Sequence, residues 1–187
     1  DGVFVSGAAD KPVYLWLHNG KAEIRDAAAL WRLDCKETQK ALEAATGEPK
    51  LRAVCIGPSG ERESLLACVM NDGHRAAGRG GPGAVMGAKK LKAIAVRGTR
   101  KVEAADPQRV KQINAEIQAA MKKDPGVASW RAGGTGGGTP SSALSGDSPV
   151  RNWGGVGVVD LSPEEVEKIG SAGMAHYETK RYACHKC

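Results

Sequence analysis

Aromatic side chains are scarce in this sequence, with one Phe, three Tyr and four Trp among 187 residues. Long apolar runs are lacking too: no stretch approaches the roughly 18 apolar residues of a membrane span, and no charged-then-apolar leader opens the chain. No membrane association is expected, and the cytoplasm is the expected compartment. A dense Lys/Arg block is also missing. The formal net charge of +6 comes from 27 basic and 21 acidic residues spread along the chain, which is not the concentrated basic surface of a nucleic-acid-binding protein. Phosphorylated small molecules or an acidic partner fit that charge better. No paired carboxylates and no nucleophile–base set stand out, so no catalytic residue is assigned.

Glycine is abundant, at 25 residues, and cysteine is present in an odd number, five. Cys35, Cys55 and Cys68 sit singly in apolar or amphipathic settings, where buried free thiols are common, and read as packing residues. Cys184 and Cys187 form a C-x-x-C that ends the sequence. Alone, that pair fits half a zinc site, a redox dithiol or part of an iron–sulfur site. The opening DGVFVSG reads as the middle of a strand, so the sequence is expected to be an internal piece of a longer protein.

Local signals predict an α+β fold over the first hundred residues. Residues 2–6 read as a short strand, and Asn19-Gly20 suits the tight turn of a hairpin. Asp34 followed by Glu37 predicts a capping box opening a helix that runs to Gly47. LRAVCIG, SLLACVM and KAIAVRG are apolar runs of strand length. Beyond Gly98 the texture becomes helical. Asp106-Pro107 opens a helix with Val110, Ile113, Ile117 and Met121 on one face, stopping at Asp124-Pro125-Gly126. Residues 126–160 read as loop with one short helix around Ala143, and AGGTGGGTPSS as a flexible linker. Ser162, Pro163 and Glu165 predict a last short helix ending near Gly170.

The segment NDGHRAAGRGGPGAVMGAKKLKA, residues 71–93, holds six glycines and five Arg or Lys residues. Glycine lets backbone approach a ligand, and a glycine-rich turn feeding a helix presents unpaired N–H groups, so the segment is suited to an anion. Gly78, Gly80 and Gly83 satisfy G-x-G-x-x-G, with Glu103 twenty residues beyond Gly83, which raises a nicotinamide-dependent dehydrogenase as an alternative. The context opposes it. Seven residues separate Met70 from Gly78, and eight lie between Gly83 and Lys92, too few for a crossover helix. A tight turn packed on a sheet, in a cofactor-free structural domain, is the other alternative.

Residues 70–98, MNDGHRAAGRGGPGAVMGAKKLKAIAVRG, closely resemble the signature of tungsten-containing aldehyde ferredoxin oxidoreductases. The resemblance extends through DKPVYLWLHNGKAEIRDAAALW at 10–31, CIGPSGE at 55–61, RNW at 151–153 and the terminal CHKC, and so covers essentially the whole chain. It implies that residues 1–104 are the latter part of a β-rich, pterin-binding cofactor-base domain. Residues 105–187 are then the start of a mainly α-helical domain that ends inside an iron–sulfur cysteine motif. In that family two pyranopterins hold one tungsten (or molybdenum), and a magnesium ion bridges their phosphates. The pterin-contacting arginine falls on Arg75, the alanine whose carbonyl meets magnesium on Ala76, and a glycine contact on Gly78. Cys184 and Cys187 match the start of the run that ligates a four-iron four-sulfur (4Fe-4S) cluster. His74 is expected to be a structural hydrogen-bonder and His185 not a ligand. The implied reaction is oxidation of a small-molecule aldehyde, with water, to a carboxylic acid, with ferredoxin as electron acceptor and partner. A homo-oligomer is compatible with the resemblance. The family's acid and base groups, and its substrate pocket, fall outside the sequence.

Overall fold

A computed structural model describes residues 2–180, which divide into a unit ending at Val102 and a second beginning at Glu103. The first is built on a six-stranded mixed sheet. Strands β1 (Val13–His18) and β2 (Lys21–Asp26) form the hairpin expected at Asn19-Gly20, whose φ values of 46° and 82° are those of a tight turn that matches strand twist. Helix α1 (Cys35–Thr46) follows, opened by the Asp34/Glu37 capping box and closed by Gly47 in the left-handed region. Then come β3 (Arg52–Cys55), the single-turn α2 (Pro58–Glu61), β4 (Val69–Asn71), β5 (Arg75–Ala77), α3 (Pro82–Ala88) and β6 (Leu91–Arg97). The spatial order is β2-β1-β6-β3-β4-β5. β6 runs parallel to β1, and the other neighbouring pairs are antiparallel.

One face of the sheet is the core. Tyr14, Trp16, Ala53, Cys55, Ala93 and Ala95 alternate inward and pack with Leu42 of α1 and with Leu30 and Leu51. Beside that apolar layer this unit buries an ion pair, Lys92 with Glu61. Lys92 is the extra residue where the β1–β6 register shifts, between the pairs Val13–Leu91 and Tyr14–Ala93. Its side chain is fully buried, and its Nζ donates to Glu61 Oε1 at 2.5 Å and to the Leu33 carbonyl at 2.9 Å. The Glu61 carboxylate also accepts the Arg32 N–H, so the charge is neutralised and hydrogen-bonded as burial requires.

Two strand expectations change in this unit. Residues 2–6 form no strand and do not join the sheet, and Phe4 is fully exposed. The chain first docks farther on, where Ala9 N donates to the Lys89 carbonyl and Lys89 Nζ to the Gly7 carbonyl. SLLACVM forms a strand only at its end, because Leu65 and Leu66 lie in a turn and are exposed.

The second unit is helical: α4 (Pro107–Lys123), α5 (Pro125–Gly133), a 3-10 turn (Thr135–Gly138), α6 (Thr139–Ser145), α7 (Gly157–Asp160), α8 (Pro163–Lys168) and α9 (Ser171–Met174). Asp106 caps α4 and Ser162 with Glu165 boxes α8, as expected. The apolar face of α4 exists but is open, with Val110, Ile113 and Ile117 46%, 38% and 49% exposed. The flexible-linker reading is overturned: AGGTGGGTPSS is helix end, 3-10 turn and helix start. Farther along this unit, at Gly157 and Gly170, glycine works by absence of a side chain. A Cβ on Gly157 would fall 2.1 Å from the Ala143 carbonyl oxygen, and one on Gly170 2.7 Å from Pro140 Cγ. Close backbone approach around buried Ala143 and Val166 replaces large apolar side chains. Asp124 caps α5 through Gly126 N and Val127 N, a helix start placed one residue after the previous helix ends.

Candidate functional site

The glycine-rich segment lies at the free edge of the sheet. Asp72 and Gly73, both at positive φ, reverse the chain between β4 and β5 and pair Asn71 with Arg75, Met70 with Ala76 and Val69 with Ala77. This turn is fastened to β3. Asp72 N donates to the Ala53 carbonyl at 2.9 Å, its carboxylate accepts from Ala53 N and Arg52 Nη1, and Asn71 Nδ2 donates to the Ala53 carbonyl. His74 Nδ1 donates to the Asp72 carbonyl at 2.7 Å, within the turn. Behind this support Arg75, Ala76 and Ala77 are all exposed and bonded to a neighbouring strand on one side only.

The six glycines of residues 71–93 divide by what they do. Gly73, Gly80 and Gly81 take φ values of 74°, 91° and 70°, which L side chains rarely adopt. Gly83 and Gly87 are packing positions: an added Cβ would lie 2.6 Å from the Cys68 carbonyl oxygen at Gly83 and 1.9 Å from that of Gly60 at Gly87. Gly78 is neither. Among the described residues nothing lies within 4 Å of its added Cβ, and its φ is not in the left-handed region. The chain's own fold gives no reason for glycine there, so the open space beside Gly78 is where an external group can approach backbone.

Arg75, Ala76 and Gly78 are therefore brought together on one exposed edge, three positions within four residues of chain. Among the described residues neither Arg75 nor Arg79 is held in an ion pair with this chain's carboxylates. An arginine without an internal acid beside accessible backbone suits an anionic group such as phosphate. The expectation that a helix N-terminus supplies the N–H groups is corrected: Pro82 has no N–H, Gly83 N donates to the Ala67 carbonyl, and Ala84 N and Val85 N donate to the Gly81 carbonyl. The dinucleotide alternative fails on topology. β5 and β6 flank α3, but two strands lie between them and they run in opposite directions, so the glycine-rich segment does not form a parallel β–α–β unit.

Sequence reasoning missed two features near the core. One is the Lys92–Glu61 pair; the other is a contact between Cys35 and Cys55, whose Sγ lies 3.7 Å from the Cys35 carbonyl oxygen. Separations of 31 and 20 residues hide both from local pattern. Cys55 is buried as expected, whereas Cys35 and Cys68 are only partly so. Cys184, Cys187 and His185 lie outside the described residues. Among the described residues no group of three or more His, Cys, Asp or Glu gathers as for a metal, and no helix is long and apolar enough to cross a membrane.

Comparison with known proteins gives this edge its setting. The family model described as aldehyde ferredoxin oxidoreductase, N-terminal domain, matches residues 1–98, the sheet unit almost entire. Tungsten-containing aldehyde ferredoxin oxidoreductases of Pyrococcus abyssi and Pyrococcus furiosus are 41% and 39% identical over the whole chain, which spans 30% of their length. An aliphatic sulfonate oxidoreductase, WOR-like subunit, of Pyrococcus furiosus is 36% identical over 82% of the chain and 26% of its own length. Among solved structures, a chain of the active-site complex BamBC of benzoyl coenzyme A reductase, in complex with 1,5-dienoyl-CoA, aligns with a TM-score of 0.59 at 37% identity. That alignment covers 62% of this chain and 18% of the other. With a family model over half the sequence and such identity along all of it, the chain belongs to the aldehyde ferredoxin oxidoreductase family, a family of oxidoreductase enzymes.

Proposed function

We propose that this chain is the cofactor-cradling part of a tungsten (or molybdenum) bis-pyranopterin oxidoreductase. The observation that carries the reading is Gly78, a glycine that the chain's own packing does not require, two residues from exposed Ala76 and three from exposed Arg75. A Cβ at Gly78 would occupy the space through which a phosphate reaches backbone. The Arg75 guanidinium supplies charge-assisted hydrogen bonds, the Ala76 carbonyl supplies an oxygen for magnesium, and the β4–β5 turn holds both in register. When bound, the metal–pterin group supplies two-electron redox chemistry, here the oxidation of an aldehyde with water to a carboxylic acid. This chain's residues bind and orient that group.

Cys184 and Cys187 fit a second role, as thiolate ligands of a 4Fe-4S cluster that passes electrons to ferredoxin. The tungsten named for the two Pyrococcus aldehyde oxidoreductases supports the metal assignment. Aldehyde identity is set outside these residues. The aliphatic sulfonate and benzoyl coenzyme A named for the other relatives mark how far substrate varies among them.

The test is metal and pterin content of the complete protein carrying Arg75→Ala or Gly78→Val. Arg75→Ala is expected to lower pterin and tungsten together, since hydrogen bonds to a charged group contribute about 1.5–3 kcal/mol, and Gly78→Val to do the same by filling the approach. Full loading in both variants would reduce the segment to a structural turn.

A further inference from the structure

Cys35 and Cys55 face each other across the junction of α1 and β3. Cys35 is the first residue of α1, directly after the Asp34 cap, and Cys55 is the last of β3. The Cys35 sulfur packs against Gly57, two residues beyond Cys55, where an added Cβ would touch it at 3.4 Å. The Cys55 sulfur lies 3.7 Å from the Cys35 carbonyl oxygen, and Cys35 packs against the same core that encloses Cys55. The Lys92 ammonium stands close by, held on the Leu33 carbonyl and Glu61.

The geometry points to Cys35 and Cys55 as an oxidisable dithiol, a modification site at which a peroxide converts the two thiols into an intramolecular disulfide tying α1 to β3. The two cysteines have the unequal roles such chemistry needs. The hydrogen bond from Cys55 draws the Cys35 thiol down to about 7, with Lys92 acting in the same direction against burial, Asp34 and Glu61. The same hydrogen bond, burial and the neighbouring Cys35 push Cys55 up. Cys35 is only partly buried, so an oxidant of small size can reach it, whereas Cys55 is enclosed and reachable from Cys35. Cys68 is partly buried too, but its sulfur lies 3.6 Å from Met70 Sδ and is no partner to this pair.

The chemistry balances in two steps. The Cys35 thiolate attacks one oxygen of hydrogen peroxide, the O–O bond breaks, and hydroxide leaves, so that Cys35 becomes a sulfenic acid. The Cys55 sulfur then attacks the Cys35 sulfur; the S–O bond breaks, and the hydroxyl leaves with the Cys55 proton as water. In sum the two thiols lose two electrons and two protons, and the peroxide gains them and becomes two waters. The proposal stands independently of the cofactor reading.

The experiment is peptide mapping of the complete protein after mild hydrogen peroxide treatment, alkylation of remaining thiols and digestion without reductant. The expected product is a linked peptide pair joining Cys35 to Cys55, lighter than its two parts by two hydrogens and separated by dithiothreitol. In Cys55→Ala, the sulfenic acid on Cys35 has no resolving thiol, and its capture by dimedone should rise several-fold over the unaltered protein. Should that variant fail to fold, the linkage map of the unaltered protein decides alone. Cys35 and Cys55 both recovered as free thiols while Cys68 is oxidised, or Cys35 linked to any other cysteine, would overturn the proposal.

Discussion

At the residue scale, Lys92 is the largest fully buried side chain among the described residues. Its side chain is 0% exposed and that of its partner Glu61 4%, so neither charge has water to fall back on. The pair connects three parts of the fold: β6 through Lys92, α2 through Glu61, and the residues before α1 through the Arg32 N–H and Leu33 carbonyl. Glu61→Ala should destabilise this unit by about 3–5 kcal/mol, because it strands a buried ammonium. Lys92→Met combined with Glu61→Leu should be milder than Glu61→Ala alone, since no charge is left uncompensated. Amide hydrogen exchange along β6 measures both. Equal loss of protection in the single and double variants would mean that shape, not charge, holds this corner. KAIAVRG reads as a plain apolar strand in the sequence, with its lysine at the margin. Nothing local signals that the lysine turns inward, because its burial depends on a register shift and on an acid 31 residues away.

Among elements, legibility follows how local the determining physics is. The hairpin at Asn19-Gly20 and the capping boxes at Asp34/Glu37 and Ser162/Glu165 are set by residues no more than three positions apart, and each was readable. The short helix expected around Ala143 is α6, but α5 was not readable, because the glycines at its end and in the following 3-10 turn resemble a linker in composition. The candidate site shows the same division. Six glycines look alike in the sequence, yet only the structure separates those bent by backbone need, those pressed against a neighbouring carbonyl, and Gly78, which is neither. A prediction follows at this scale for two sites on different helices. Gly87→Ala forces α3 against the Gly60 carbonyl, where backbone must move, and should exceed Asp34→Ala, which removes one helix cap at about 1 kcal/mol. Thermal unfolding of the two variants ranks them. The reverse order would mean that α3 is free to shift away from α2.

For the molecule as a whole, the two units carry different halves of the proposed function, and the halves can be lost separately. The glycine-rich edge belongs to the unit ending at Val102, while Cys184 and Cys187 belong to the sequence beyond it. If the edge holds the metal–pterin group and the cysteines serve electron exit, one substitution at the end of the chain should remove the second without the first. Cys187→Ala in the complete protein deletes one thiolate from the proposed cluster, and no neighbouring oxygen or nitrogen ligand matches a thiolate for iron. Iron content should fall and turnover with ferredoxin as acceptor should collapse, while tungsten stays bound in substantial part, because the β4–β5 edge is fastened to β3 within its own unit. Cys184→Ala added to Cys187→Ala should change little further, since both thiolates act on one cluster and their effects do not sum. Cys55→Ala is the matched control, expected to leave iron untouched, because Cys55 is enclosed in the sheet core. Elemental analysis and a ferredoxin-linked rate on the same preparations decide the matter. Iron and rate that survive Cys187→Ala would remove the terminal C-x-x-C from electron transfer and leave only the cofactor-cradling half of the proposal.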